Sequence, residues 1–378
     1  MDRSYTSAVL VDSPIATAVA QVLPFYRAGT FCAAQSPLFL RRQWGQYLSP
    51  LRARVAQDCG LQVIARGQAL TLPLRRGGVA YYPFNSQGNL NAVNNRQYRH
   101  VLILHGESNK AASVRPAARI YDFVCIAGPL ARARYRDAGI FTDADLRGGR
   151  LIEVGDLFVQ DLYGYRPGQA GDYLLYTPTW EGYGSRRNDH SSLIGGFGRA
   201  VVQQIMSGGA HRGVIIRPHP YTGTLSRAHL IALRRDVMAL ARDFPTFIDL
   251  RDANPLLRLA MTGLRHFNAQ GTAPISLALC DVSGMEAALL KARIPHRILL
   301  RQFSPPAALA QVYRVKSIAV TGAPAPDHAA LQEADAAHRA LVFGHADPAM
   351  AAQPPAIRRA FVEEMIMHSR FWEGGRDD

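Results

Sequence analysis

The sequence predicts an α/β protein with two Rossmann-like domains, each built on a parallel sheet, that face each other across a cleft. Three observations predict this fold class. The chain has 378 residues, which is more than one hydrophobic core usually serves. Short apolar runs alternate with helical stretches in both halves, as in sheets that helices cover on both faces. Polar side chains follow several of these runs, at the strand ends where such folds bind ligands.

The first domain is predicted over residues 1–165. A helical segment at 13–29 follows its first strand, and an Asn-rich stretch at 81–100 is either a functional loop or an ordinary surface connection. Strands are predicted in the runs SAVLV (7–11), LQVIARG (61–67), HVLILHG (100–106), FVCIAG (123–128) and LIEVGD (151–156).

The second domain is predicted over residues 166–350, after a linker near 163–171 that is rich in Gly, Pro and Tyr. Helices are expected from about Ser191 to Met206 and from about Ser226 to Asp243. A last helix within 351–378 is expected to pack back on the first domain. Strands are predicted in the runs DYLLYTPTW (172–180), GVIIRPHP (213–220), TFIDL (246–250), LALCDVSG (277–284) and HRILLRQ (296–302).

The composition indicates a folded cytoplasmic protein, with 48% hydrophobic and 19% charged residues. No apolar run reaches the roughly 18 to 20 residues that span a bilayer, and the start lacks the features of a secretory signal. The four cysteines, at 32, 59, 125 and 280, lack metal-site spacing, so we expect buried free thiols in a reducing compartment.

The formal net charge is +14, and all but three of the 43 basic residues are Arg. No run of five or more basic residues occurs, so we expect no nucleic-acid partner. A peripheral association with acidic lipid at the inner face of the cell membrane is the expected consequence of the charge.

The segment HGESNK (105–110) follows a predicted buried strand. The imidazole of His105 is placed to remove a proton from an acceptor hydroxyl, although a His held only by loop hydrogen bonds explains the segment as well. Gly106 permits a sharp turn, and Lys110 offers a point charge to a phosphate.

Two motifs of the second domain also end strands. In IRPHP (216–220) two prolines stiffen the backbone around Arg217 and His219, which could neutralise or protonate a phosphoryl group. In CDVSGMEAALL (280–290) Ser283 and Gly284 begin a helix whose N-terminus attracts a pyrophosphate, and Glu286 could accept hydrogen bonds from ribose hydroxyls. A stiff strand exit and a capped helix without a ligand are the alternatives.

The sequence contains no GxGxxG, Walker or HExxH motif, and no convincing DxD pair at a strand end. We therefore expect no obligatory metal or other cofactor. The expected donor- and phosphate-binding residues are Lys110, Thr179, Arg217, Ser283, Gly284 and Glu286, with Glu107, Glu181 and Asp281 as candidate orienting residues.

Six motifs in this order resemble the CDP-glycerol glycerophosphotransferase family of teichoic acid and capsule synthesis, with its two-domain glycosyltransferase B architecture. They span about residues 80–300 and are HGESNK, YD (121–122), AGPLARARY (127–135), TPTWEG (177–182), RPHP and DVSGME. The resemblance implies that His105 is the base, that His219 contacts donor phosphate and that the segment around Ser283 binds the nucleotide. Gly284 stands where that family has a second Ser, and Glu286 where Asp is more usual.

The resemblance implies transfer of a polyol phosphate, most simply glycerol phosphate, from a CDP-linked donor. The acceptor would be a hydroxyl of a cell-surface polysaccharide, a teichoic-acid-like polymer or its lipid-linked primer. The first alternative is a glycosyltransferase of the same architecture that uses a nucleotide sugar, because both reactions need the same pyrophosphate cradle. The second is a non-catalytic assembly subunit that keeps the fold.

Overall fold

The computed structural model describes residues 5–13, 18–41, 57–65, 71–104, 107–110, 114–182, 190–267, 271–301, 304–319, 328–344 and 348–369. The chain divides into two units. Unit 1 comprises Met1–Glu107, Val114–Gln160 and Val342–Asp378, and unit 2 comprises Ser108–Ser113 and Asp161–Leu341. Each unit contains a seven-stranded sheet, and the described strand pairs are parallel. This confirms the predicted fold class of two parallel-sheet α/β domains.

The strands of unit 1 are β1 (Tyr5–Val11), β2 (Leu38–Arg41), β3 (Gln62–Ile64), β4 (Leu74–Tyr82), β5 (Arg99–Leu102), β6 (Phe123–Ile126) and β7 (Leu151–Glu153). Their order in the sheet is β3-β2-β1-β4-β5-β6-β7. Successive residues of β1 enter two different cores, with Val9 and Val11 in one and Ala8 and Leu10 in the other. Because both faces are covered, the last four residues of this strand, 8–11, form a continuous apolar run in the sequence.

In the described residues before Asp161, unit 1 has four α-helices: α1 (Ala18–Arg27), α2 (Leu90–Val93), α3 (Pro129–Asp137) and α4 (Asp143–Arg147). Helix α4 begins with a capping box, in which Thr142 and Asp145 each accept a hydrogen bond from the backbone of the other. The Asn-rich stretch at 81–100 contains regular structure, because α2 and the start of β5 both lie within it.

The strands of unit 2 are β8 (Tyr165–Pro167), β9 (Tyr173–Thr177), β10 (Val214–Ile216), β11 (Thr246–Ile248), β12 (Ala273–Asp281), β13 (His296–Leu300) and β14 (Ser317–Ala319). Six of them have the order β11-β10-β9-β12-β13-β14, and β8 pairs with the start of β12. The passage near 163–171, predicted as a linker, thus contains a sheet strand, because the backbone of Tyr165 to Pro167 finds partners on β12.

The helices of unit 2 are α5 (Phe197–Ser207), α6 (Arg227–Asp243), α7 (Pro255–Ala260), α8 (Gly284–Lys291), α9 (Ala310–Lys316) and α10 (His328–Phe343), the last of which ends in unit 1. Helix α5 begins at Phe197 and not at Ser191 as predicted. Gly195 and Gly196 have φ values of 78° and 73°, and this left-handed backbone cannot belong to a right-handed helix.

The last segment of the chain belongs to unit 1 and contains α11 (Pro348–Ala351) and α12 (Pro355–Met367). Val362 and Ile366 of α12 lie in the same core as Val9. The Tyr81 hydroxyl donates to Glu363 at 2.9 Å, and Arg358 pairs with Asp156. Helix α12 therefore packs on the face of the unit 1 sheet that also carries α1.

Three cysteines are buried as predicted, at 59, 125 and 280, whereas Cys32 is exposed. Burial raises the pKa of the Cys59 thiol to about 12, so this thiol stays protonated at neutral pH. Among the described helices, none is both long and apolar enough to cross a bilayer.

Candidate functional site

The strand order of unit 2 creates a switch point between β9 and β12. The chain moves outward through β10 and β11 on one side of β9, then returns to start β12 on the other side. Thr177 pairs with Cys280 at the carboxyl ends of the two strands. In open parallel sheets, ligands bind outside the carboxyl ends of the strands at such a point. The motifs TPTWEG and DVSGME begin at this position.

Asp281, at the end of β12, connects the segments around the switch point. Its Oδ2 accepts hydrogen bonds from the backbone N–H groups of Thr179 at 2.7 Å and Ser192 at 3.1 Å. The residue has no exposed surface, and Oδ1 has no partner among the described residues. Burial raises the pKa of this carboxyl to about 6. Asp281 thus holds the backbone of two loops in place.

We expect Asp281→Asn to remove a pH dependence of stability. The folded-state pKa of about 6 lies above the unfolded value of 3.8, so the carboxyl contributes stability below pH 4 that is lost as pH rises through 6. A shift of this size corresponds to about 3 kcal/mol. Between pH 4 and pH 7, the free energy of unfolding of wild type, measured with a chemical denaturant, should fall by this amount relative to that of Asp281→Asn. A constant difference between the two proteins would contradict the assignment.

Lys110 and Thr179 are brought together in unit 2. The Lys110 ammonium donates to Thr179 Oγ1 at 3.0 Å. The backbone N–H of the same threonine donates to Asp281. Both Lys110 and Thr179 were predicted as donor-binding residues from separate motifs. Their contact places a positive charge at the end of β9, next to the switch point.

Ser283 begins helix α8 as predicted. Its Oγ accepts from the Met285 N–H at 3.2 Å, and its backbone is extended, as is usual for an N-cap. Gly284 is exposed at the first position of the helix. The partial positive charge of the helix N-terminus is therefore accessible beside Asp281, as an anion site requires.

Glu286 lies one turn further and is engaged within unit 2. Its side chain is almost fully buried and accepts hydrogen bonds from Tyr313 at 2.8 Å and from Asn109 at 2.9 Å. Desolvation opposes ionisation, but the hydrogen bonds and positive charges around this carboxyl lower its pKa. Ribose hydroxyls, its expected partners, would have to displace Asn109 or Tyr313.

His219 of the RPHP motif stands in a stack of aromatic rings. Its ring lies 5.4 Å from that of Trp180, nearly parallel to it, and Tyr221 contacts both. His219 Nδ1 accepts the Tyr221 backbone N–H at 3.1 Å. In a neutral imidazole this contact assigns the proton to Nε2, which makes Nε2 the atom able to donate.

Arg217 and Glu181 both contact other residues of unit 2. Arg217 donates to Asp252 at 2.7 Å, and its guanidinium lies over the Tyr165 ring, so its charge is already paired. Glu181, a candidate to orient a His or Lys, accepts backbone N–H groups from Gly223, Leu225 and Ser226. It fixes the loop between His219 and α6.

In unit 1, His105 and Gly106 lie outside the described residues. Leu104, directly before them, has a φ of 56°, a left-handed conformation that costs energy in a residue other than Gly. Glu107, a candidate orienting residue, forms an ion pair with Arg134 of α3. Backbone strain of this kind is concentrated at functional sites, so the strain at Leu104 is compatible with a functional role for the HGESNK segment.

Several residues near the switch points of the two sheets are not indicated by the sequence. The Ser192 hydroxyl lies 2.7 Å from the Tyr176 hydroxyl, and the Ser192 N–H donates to Asp281. Tyr313 and Asn109 were not considered. In unit 1, buried Asp12 follows β1 at the equivalent switch point beside β4, and Arg41 approaches it at 3.4 Å. An isolated Asp after an apolar run was the only available signal for this position.

No protein-family model and no curated protein matches the sequence. Among solved structures, HepE of Anabaena in complex with UDP and glucose is 8% identical with a TM-score of 0.49, over 96% of this chain and 99% of that chain. MnaA of S. aureus with UDP is 10% identical with a TM-score of 0.46, over 95% of each chain. A Thermobaculum terrenum O-GlcNAc transferase mutant is 12% identical with a TM-score of 0.41, over 99% and 69% of the two chains.

Proposed function

We propose that this chain is a transferase that uses a nucleoside-diphosphate-activated donor and binds it at the switch point of unit 2. The observation that carries the proposal is the grouping of Lys110, Thr179 and the exposed N-terminus of α8 around the buried Asp281. These groups offer a cation, a hydroxyl and backbone N–H groups. Together they suit a diphosphate without requiring a metal ion.

The burial and contacts of these residues suggest three different roles within the site. Asp281 orients the backbone of Thr179 and Ser192 but faces no solvent, so it acts as a positioning residue. The helix N-terminus and Lys110 would hold the phosphates. His219, with a proton on Nε2, would donate to the oxygen that gains charge as the donor bond breaks.

Two versions of the proposal differ in the group transferred. In the nucleotide-sugar version, an acceptor hydroxyl attacks the sugar carbon, the bond from carbon to phosphate oxygen breaks, and a nucleoside diphosphate leaves. This version needs no donor-binding groups other than those already described at the switch point. In the CDP-polyol version, which rests on the six motifs alone, the hydroxyl attacks phosphorus and CMP leaves. His105 would take the hydroxyl proton in both versions.

Product analysis separates the two versions. We would incubate the protein with CDP-polyols and UDP-sugars together with a hydroxyl acceptor and identify the released nucleotide. Release of UDP with a glycosidic product supports the first version, whereas release of CMP with a phosphodiester supports the second. The expected acceptor in either case is a polysaccharide or its lipid-linked primer at the inner face of the membrane.

Nucleotide binding tests the shared part of the proposal. UDP or CDP should raise the melting temperature, because a ligand at 100 times its Kd stabilises the native state by about 2.7 kcal/mol. Gly284→Glu should abolish this rise while preserving the fold, since a carboxylate at a helix N-terminus favours the helix but repels a diphosphate. Gly271→Glu, at an exposed position with open space, is the matched control. An equal rise in the Gly284 variant would contradict the site.

A further inference from the structure

Helix α6 of unit 2 exposes a face made only of arginine and apolar side chains. The residues exposed along it, apart from its last, are Arg227, Ala228, Ile231, Arg235, Met238, Ala241 and Arg242. At 100° per residue these positions form one stripe. The acidic residue within the helix, Asp236, is buried and lies beside Arg235 and Arg199. Asp243 at the helix end is the one exposed acid of α6.

The neighbouring helix α7 extends this surface. Arg234 of α6 donates to the carbonyl groups of Ala260 and Thr262, which holds the end of α7 against α6. The exposed residues of α7 are Pro255, Leu256, Arg258 and Leu259. Again none of them is acidic. We call the exposed residues of α6 other than Asp243, together with those of α7, the α6–α7 surface.

Large apolar side chains are concentrated here. Ile231 is 67% exposed and Leu259 is 73% exposed, the two highest values for large hydrophobic residues in the described part of the chain. Of eleven such exposed side chains among the described residues, five lie between Leu225 and Leu259. Scattered exposed leucines are ordinary, but a group of them on adjacent helices marks an interaction surface.

We propose that the α6–α7 surface docks on an anionic lipid membrane, with Ile231, Met238 and Leu259 entering the headgroup region. The arginines decide the occupant, because guanidinium groups that outnumber the one exposed acid of α6, Asp243, complement phosphate headgroups. The long arginine stems also cover apolar surface while their charged ends stay in water. A docked helix of this kind lies in the plane of the interface.

The position of the surface connects it with the donor site. Helix α6 follows directly after the loop that starts at His219, and Glu181 holds that loop through Gly223, Leu225 and Ser226. Membrane docking would therefore place the start of α6, and with it the end of the loop that Glu181 holds, at the interface. The surface itself is independent of the donor, so it does not rest on the proposed function.

Vesicle sedimentation tests the proposal. The full chain should sediment with vesicles of equal parts phosphatidylcholine and phosphatidylglycerol at low salt, and should bind phosphatidylcholine alone only weakly. The double variant Ile231→Glu with Leu259→Glu should lower the partition coefficient by about tenfold or more, because it removes apolar insertion and adds like charge. Both side chains are exposed, so the fold should persist, and an unchanged melting temperature of the protein without ligand provides the check.

The matched control is Ile357→Glu with Met367→Glu, which changes two exposed apolar residues of α12 in unit 1. This variant should bind the anionic vesicles as wild type does. The proposal is overturned if the wild-type protein does not sediment with anionic vesicles. A surface that binds a protein partner instead would give this result. The proposal is also overturned if the α6–α7 variant binds like wild type, or if the α12 control loses as much binding. If the wild-type protein binds anionic vesicles but no nucleotide, the proposed function is wrong and the membrane-docking proposal still holds.

Discussion

Replacing His219 with alanine is expected to lower the turnover of the transfer reaction by about 10²-fold or more, which is the usual contribution of a positioned acid or base. The reason is that Nδ1 accepts from Tyr221, which assigns the proton of a neutral imidazole to Nε2, the nitrogen that would donate it. The Trp180 and Tyr221 rings hold the imidazole in this orientation. Turnover would be measured by release of nucleotide, and binding of nucleotide separately by calorimetry.

Two further variants separate chemistry from loop positioning. His219→Asn keeps an oxygen that can accept from the Tyr221 N–H but lacks the Nε2 proton, so it should remain as slow as the alanine variant. His266→Ala removes an exposed histidine of the same unit and should keep wild-type turnover. Near-normal turnover in His219→Ala, or full rescue by His219→Asn, would refute the proton-donor role. We expect His105→Ala to stop transfer in the same way, because it would remove the base.

Lys316→Ala is expected to destabilise unit 2 by about 3 to 5 kcal/mol, the usual result of breaking a buried charged network. Lys316 has no exposed side-chain surface. Its three N–H groups meet His296 Nε2 at 2.7 Å, His338 Nδ1 at 3.0 Å and Asp335 Oδ1 at 2.5 Å. Removal of the ammonium leaves the two buried histidine nitrogens without this donor and Asp335 without its closest positive charge.

The network continues to the donor site. His338 Nε2 lies 3.0 Å from Glu286 Oε1, and the Tyr313 hydroxyl donates to the same carboxylate. Burial lowers the pKa of the His296 imidazole well below its usual value, so this ring acts as a neutral acceptor of the lysine proton. The effect of Lys316→Ala should therefore also reach the nucleotide site through Glu286.

Lys291→Ala is the control for the lysine prediction. Lys291 pairs with Asp161 at 3.0 Å, but both side chains are partly exposed, and such pairs contribute about 0 to 1 kcal/mol. The unfolding midpoint in urea should fall strongly for Lys316→Ala and hardly for Lys291→Ala. Equal midpoints for the two variants would mean that the buried network contributes nothing to stability.

Much of the fold was readable from apolar runs that end in Gly or polar residues. Strands β1, β6, β9 and β13 are buried over most of their length, and each contains an apolar run: AVLV, FVCI, YLLY and ILL. Strand β4 was missed because its first residues, LRRGG, are polar and partly exposed, and its buried end YY was read as the start of a loop. The late start of α5 depends on the left-handed Gly195 and Gly196, which the apolar pattern does not reveal.

The candidate site was predictable where local rules decide the structure. Ser283 follows a strand and precedes a helical pattern, and its cap depends only on neighbouring residues. The contacts of Glu286 with Asn109 and Tyr313 join residues far apart in sequence, so no local pattern indicates them. The buried Lys316 is a further case, since a lone Lys normally predicts an exposed position and only the tertiary structure supplies its three acceptors.

Hydrogen exchange with bound nucleotide tests the central claim most directly, because it locates the ligand on the chain. Saturating UDP or CDP should slow exchange in peptides that cover residues 177–182, 190–193 and 282–287, the three segments that Asp281 and the start of α8 bring together. Peptides of unit 1 around β7 should be unchanged. Protection confined to other segments, or no protection at saturating nucleotide, would contradict a diphosphate site at this switch point.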